Sequence, residues 1–94
     1  MYVLTRRDLN KKQQAVQSGH AIAEYLLNYP ETSWDNGTLV YLVVHNEEEL
    51  LVWAERLNAE GLTWKGFREP DRNNELTALA TVSEGILFED LCLL

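Results

Sequence analysis

Four polar side chains, Gln13, Gln17, His20 and Glu24, recur at intervals of three and four residues in the first third of the chain. At about 100° per residue they fall within a band of roughly 60° on one side of a helix. Such a face suits the edge of a site that holds a polar ligand. Cations gather in two places, Arg6, Arg7, Lys11 and Lys12, then Lys65, Arg68 and Arg72; of the eight Lys and Arg, only Arg56 lies elsewhere. If the two clusters meet in space, they form a local phosphate-binding site; if they do not, they are solvated charges near turns. Charge alone leaves both open. Glu69 and Arg72, three apart, also suit an exposed ion pair of little energetic worth.

The body that would carry this site is acidic, with a net charge of −7, which argues against a general nucleic-acid binder with a basic surface. Its 46% apolar and 24% charged residues are those of an ordinary globular protein. Ninety-four residues allow one core, so a single domain over 1–94 is expected. No apolar run approaches the ~18 residues that span a bilayer, so no membrane role is expected. The first residues lack an apolar signal core, which points to the cytoplasm. One cysteine, Cys92, makes no internal disulfide and reads as a small packing residue beside Leu91, Leu93 and Leu94.

The elements that must position these residues follow from periodicity. Residues 2–5 are β-prone and form a first strand. A helical pattern runs from about 12 to 29, where Pro30 ends it. Ala15, Gly19, Ile22, Ala23 and Leu26 share one side, a small-residue face expected to pack on a sheet. Asp35-Asn36-Gly37 is a turn signal, and the apolar run 38–44 reads as a strand covered on both faces. Asn46 is expected to cap a second helix with Glu49 as its capping-box partner; Leu50, Trp53, Ala54 and Leu57 form its buried stripe, and Gly61 stops it. Strands follow at 63–68 and 76–82, joined by a polar loop. Ser83 then caps a last short helix over 84–91. The expected fold is α/β, a four-stranded mixed sheet flanked by helices in the order β-α-β-α-β-β-α. Trp34, Trp53 and Trp64 are candidates for the core or for a homodimer surface.

Several chemistries are excluded by absence of their patterns. There is no glycine-rich phosphate loop, and one cysteine with two histidines, His20 and His45, does not supply familiar zinc-ligand spacing. No metal or cofactor is expected. No Ser elbow or Cys/His spacing points to covalent catalysis. His45, at a strand-to-helix handover, reads as a turn residue.

Taken in order, the segments resemble the type-II peptidyl-tRNA hydrolases. The first strand leads into Arg6-Arg7-Asp8-Leu9, and the helix reads Ala15-Val16-Gln17-Ser18-Gly19-His20-Ala21. Trp34 and Gly37 precede the apolar strand, and Glu47-Glu48-Glu49-Leu50-Leu51 opens the second helix. Arg68-Glu69-Pro70-Asp71-Arg72 is similar to the family's Arg-Asp-x-x-Arg, and Thr77-Ala78-Leu79-Ala80 to the opening of its last strand. The resemblance implies hydrolysis of the ester between a peptide and the terminal ribose of tRNA. It implies a catalytic lysine, carboxylate and threonine, which fall on or beside Lys12, Glu69 and Thr77. It also implies that the two basic clusters flank one site, so Arg6, Arg7, Lys11, Gln13, Gln17, His20, Arg68, Asp71 and Arg72 are expected to contact substrate. The family lysine lies four residues before the helix glutamine, which here is Gln13, with Lys12 adjacent; the family aspartate falls on Glu69, with Asp71 nearby. A hydrolase, a tRNA-binding module without catalysis, and a protein-interaction or regulatory domain are the three functions compatible with this pattern. As structural roles, His20 suits a polar helix face, Gln17 a cap for loop backbone, and Thr77 a β-branched strand opener.

Overall fold

The computed structural model describes residues 1–83 and 85–94. Strand β1, Tyr2–Arg6, pairs in parallel with β2, Val40–Val44, and a parallel pair requires a crossover. Helix α1, Lys11–Asn28, provides it. The Asn10 side chain accepts from the Gln13 N–H at 2.8 Å and satisfies one of the orphan donors of the first turn. The chain leaves α1 just before Pro30 and turns through Asn36, which takes a positive φ of 65°.

Helix α2, Glu47–Ala59, shows how closely local chemistry sets its ends. Asn46 caps it through a 3.0 Å bond from the Glu49 N–H. The reciprocal arm of the expected capping box reaches one residue further back: the Glu49 carboxylate accepts from the His45 N–H at 2.9 Å and meets His45 Nδ1 at 2.6 Å. At the other end Gly61 has a φ of 69°, with Gly61 N–H bonded to the Asn58 carbonyl and Leu62 N–H to that of Leu57. That pair of bonds is a Schellman termination.

Strands β3, Trp64–Glu69, and β4, Glu75–Thr81, form an antiparallel hairpin around a 3-10 turn at Pro70–Arg72, with Asn73 and Asn74 both left-handed. The sheet order is β3-β4-β1-β2-β5, so the sheet has five strands and not the expected four. The difference lies at the end of the chain. In place of a helix over 84–91 there is a 3-10 turn, Gly85–Phe88, followed by β5, Cys92–Leu93, antiparallel to β2 (Glu84 lies outside the described residues). The reason is visible in burial: Phe88 alone is buried here, its ring 5.3 Å from those of Tyr2 and Trp53, while Ile86 is exposed. Leu87, next to Phe88 in sequence, and Leu91 pack against the same cluster, and the chain beyond them pairs with the open edge of β2. Cys92 is consequently exposed on that strand, not packed as expected.

The two helices cover opposite faces. On one, α2 places Leu50, Trp53, Ala54 and Leu57 against Leu4, Leu42, Val44, Leu76 and Leu79. On the other, α1 meets Met1, Val3, Ala78 and Ala80, and the small side chains of the two alanines allow close approach. Trp53 is buried, and Trp34 and Trp64 pack against the edges of the two clusters, so all three tryptophans serve the core. The face of α1 that packs is not the expected one. Gln14, Gln17, Ser18, Ala21 and Tyr25 are buried, while Ala15, Gly19, Ala23 and Leu26 are exposed and Ile22 is half-buried. Hydropathy misleads here because the two buried glutamines have partners: Gln14 Nε2, for instance, donates to the Leu9 carbonyl at 2.8 Å, whereas the Ser18 hydroxyl is buried without one. No helix among the described residues is long and apolar enough to cross a membrane.

Replacing Asn46 with Ala should cost about 1 kcal/mol, and with Gly only a few tenths, seen as a lower urea midpoint with an unchanged slope. No loss in Asn46→Ala would show that the cap bond is not what holds the start of α2.

Candidate functional site

The site begins with an irregularity in β4. The pairing steps from Phe67 opposite Ala78 to Arg68 opposite Leu76, leaving Thr77 as an extra residue in a β-bulge. Ala78 already faces α1, and the bulge lets Thr77 face it too. Thr77 Oγ1 donates to Gln17 Oε1 at 2.7 Å and also lies 3.1 Å from the Phe67 carbonyl. Gln17 Nε2 in turn donates to Glu69 Oε2 at 3.0 Å, and Glu69 Oε1 accepts from the Asp71 N–H at 3.3 Å. A carboxylate accepts only, so it fixes the orientation of the Gln17 amide, which then has its oxygen free for the hydroxyl. Thr5 Oγ1 braces the bulge by donating to the Thr77 carbonyl at 3.0 Å.

This line of hydrogen bonds ends in an open hollow of about 410 Å³ lined by Leu9, Gln13, Val16, Gln17, Glu69, Asp71 and Arg72. Five of the residues expected at a site, Gln13, Gln17, Glu69, Asp71 and Arg72, are therefore brought together from α1 and the β3–β4 turn. The Glu69 carboxyl is held below its usual range, first by the Gln17 hydrogen bond, then by the Asp71 N–H and the charge of His20. His20 stands on the exposed side of α1, its ring stacked on Phe67 with centroids 4.3 Å apart and 15° between planes. Thr77 is fully buried, so its hydroxyl acts on the hollow through Gln17 and not by touching water there.

The basic residues divide three ways. Arg6, expected to meet substrate, is turned inward and only 4% exposed. Its Nε and Nη2 bind the two oxygens of Asp8, both at 2.9 Å, and its Nη1 binds Glu75 Oε1 at 2.8 Å and the Leu76 carbonyl at 3.1 Å. With its donors engaged, Arg6 is a strut between β1 and β4, and that expectation is corrected. Arg7 and Lys11 border a different hollow, shared with Gln14, Val43, Leu93 and Leu94. Lys12 is exposed on α1 and does not line the hollow, where Gln13 stands instead. From the second cluster, Arg72 lines the hollow with its Nε 3.6 Å from Glu75 Oε1, and exposed Arg68 donates to the Asn74 carbonyl. One residue of each cluster, Arg6 and Arg72, shares Glu75, and Arg72 is the one cation among the residues that line the hollow.

Asp8, Glu75 and Phe67 are the participants that the sequence did not single out. Asp8 lies inside the Arg6-Arg7-Asp8-Leu9 segment, whereas the Arg6–Glu75 pair joins residues 69 apart and leaves no local signal. Among the described residues there is no group of three or more metal-ligating side chains.

Hydrogen bonds from Arg6 are the first cause that holds the Asp8 and Glu75 carboxyls below their usual range. Depressed carboxyls stabilise the fold in their ionised form. That contribution is complete above the unfolded carboxylate range and is lost as pH falls through the lower folded values. Stability to urea should be flat near neutrality and decline below about pH 5, with a shallower decline for Arg6→Met. Identical declines in both proteins would remove Arg6 as the cause. Among known proteins, no family model matches this chain, and no curated protein matches it in sequence.

Proposed function

We propose that this chain hydrolyses the ester between a peptide and the terminal ribose of tRNA, on a fold of the type-II peptidyl-tRNA hydrolase kind. The observation that carries the reading is the Thr77–Gln17–Glu69 line of hydrogen bonds opening on the hollow beside Gln13, Asp71 and Arg72. In the resembling family a threonine, a helix glutamine and a carboxylate stand at the corresponding sequence positions. Their convergence here, from three separate elements, is what that chemistry needs.

The reaction adds water to the ester carbonyl and breaks the bond to the ribose oxygen, which leaves with a proton. Glu69, ionised at neutral pH, accepts a hydrogen bond from the attacking water and orients it. A carboxylate held low is a weak base, so orientation is its larger contribution. The developing oxyanion needs a donor, and the Gln13 amide and Arg72 guanidinium border the same hollow. Lys12, next to Gln13 but outside the lining, contributes a positive potential toward the acceptor-stem phosphates together with Arg7, Lys11 and Arg68. The proposed setting is the cytoplasm.

One observation favours a second reading, a tRNA-binding or regulatory module without catalysis. The hollow holds an amide, Gln13, where the resemblance implies a lysine, and its cation Arg72 sits among Glu69, Asp71 and Glu75.

Incubating the protein with labelled peptidyl-tRNA should release peptide. Glu69→Gln should slow release by ~10²–10³-fold, the range for losing one preorganised polar contact at the reacting centre. Gln13→Lys should raise kcat/KM by about tenfold by restoring a cation near the oxyanion. No release from the wild type or from Gln13→Lys would sink the hydrolase reading. Salt-dependent tRNA binding lost on replacing Arg7, Lys11 and Lys12 would then support the binding module.

A further inference from the structure

His20 follows Gln17 by one helical turn, so its Cβ is about 5–6 Å from that of the residue that anchors the hydrogen-bonded line. Its ring lies nearly flat on Phe67, 4.3 Å between centroids and 15° between planes, and the residue is exposed. Phe67 is half-buried on β3, two residues before Glu69, and its carbonyl lies within hydrogen-bond distance of the Thr77 hydroxyl. Both rings are therefore fixed to segments that build the hollow. A preformed flat aromatic pair presents its outer face to whatever occupies the adjacent space.

We infer that the His20–Phe67 stack is the subsite for the nucleobase of the terminal adenosine, an inference that rests on the proposed reading of the hollow as the ester site. Charge selects which part of an acceptor end suits this position. Glu69, two residues beyond Phe67 on β3, lines the hollow with Asp71, and Arg72 is the one cation in that lining. Two carboxylates against one guanidinium leave the hollow net negative, which disfavours a phosphate, whereas a neutral planar base loses nothing by their presence. Stacking on an aromatic face is tolerant of base identity, so the subsite reads the presence of a base and not its sequence. The one-turn offset between His20 and Gln17 lets the ribose lie between the stacked base and an ester held at the hollow.

The test uses two hydrolysis-resistant probes: 3′-amino-3′-deoxyadenosine acylated at its 3′ nitrogen with an N-acetylated amino acid, and the same acylated ribose without the base. Binding to the intact protein is measured by calorimetry or by NMR shifts of the His20 and Phe67 rings. The base should tighten binding to the wild type by about tenfold, within the range for one base stacked on an aromatic side chain. That preference should vanish in His20→Ala and persist in His20→Phe, which keeps a flat ring without the imidazole. A preference of equal size in wild type and His20→Ala, or no preference in the wild type, would overturn the inference. Peptide release, assayed separately, keeps the two readings apart. Base preference without release sinks the hydrolase and leaves the subsite, while release without base preference does the reverse.

Discussion

The extra residue in β4 is the constraint on which the candidate site depends. Without it, Thr77 would alternate to the α2 face, away from α1, and Gln17 would face the sheet with no hydroxyl to meet. A buried side-chain hydrogen bond contributes about 1 kcal/mol net, but a buried amide left without its partner costs roughly 1–3 kcal/mol. The penalty for losing the partner exceeds the gain from having it, so the pairing specifies geometry more than it supplies stability. It fixes the rotation of α1 about its own axis. Once Gln17 is turned inward, Gln13 and His20 must flank it along the helix, and the small residues Ala15, Gly19 and Ala23 are left facing solvent.

A second constraint decides where positive charge is available. Arg6 lies on β1 in the middle of the sheet, where a guanidinium is tolerated only with its donors satisfied. Asp8 and Glu75 do this, and the Leu76 carbonyl takes a further bond, so the buried cation ties β1 to the start of β4 just below the bulge. The same Glu75 faces Arg72 at 3.6 Å, too long for a hydrogen bond and partly exposed, an interaction of small energetic worth. Arg72 is therefore oriented without being locked. An acidic body can in this way present one cation, Arg72, at the hollow while its most buried arginine ties the strands together.

What the sequence made legible was local. The Asn46 cap, the Leu50-Trp53-Ala54-Leu57 stripe and the Gly61 stop each depend on residues within a turn or two of one another, and each is where the pattern places it. The strands that begin and end the hairpin are likewise offset by only a residue. The misreadings share a different cause. Size and hydropathy point to one face of α1, but its orientation is set by a partner on β4 some sixty residues away. Arg6 looked like one of a basic cluster because Glu75 cannot be seen beside it in sequence. The Ser83 cap signal points to a helix over 84–91, whereas the chain there anchors Phe88 in the core with Leu87 and Leu91 packed beside it and then pairs as a strand. In the site, Gln13, Gln17, Glu69, Asp71 and Arg72 were legible through the resemblance; the bulge that joins Thr77 to them was not, since nothing in residues 75–82 marks an extra residue.

These constraints bear on how such a hollow could accelerate ester hydrolysis. Proton abstraction favours a base with a pKa near the working pH, and Gln17, Asp71 and His20 all act to move Glu69 away from it. Catalysis would then rest on holding ester and water in a reactive geometry, for which effective molarities of 10⁵ M and above are attainable in principle. Geometry of that quality depends on binding energy from parts of the substrate remote from the bond that breaks. The acceptor-end base and phosphates are such parts, and the exposed His20 ring and the scattered Arg7, Lys11, Lys12 and Arg68 are the groups able to meet them. Under the proposed function, then, the polar line at the hollow positions the reacting atoms, and the surface around it decides how firmly they stay there.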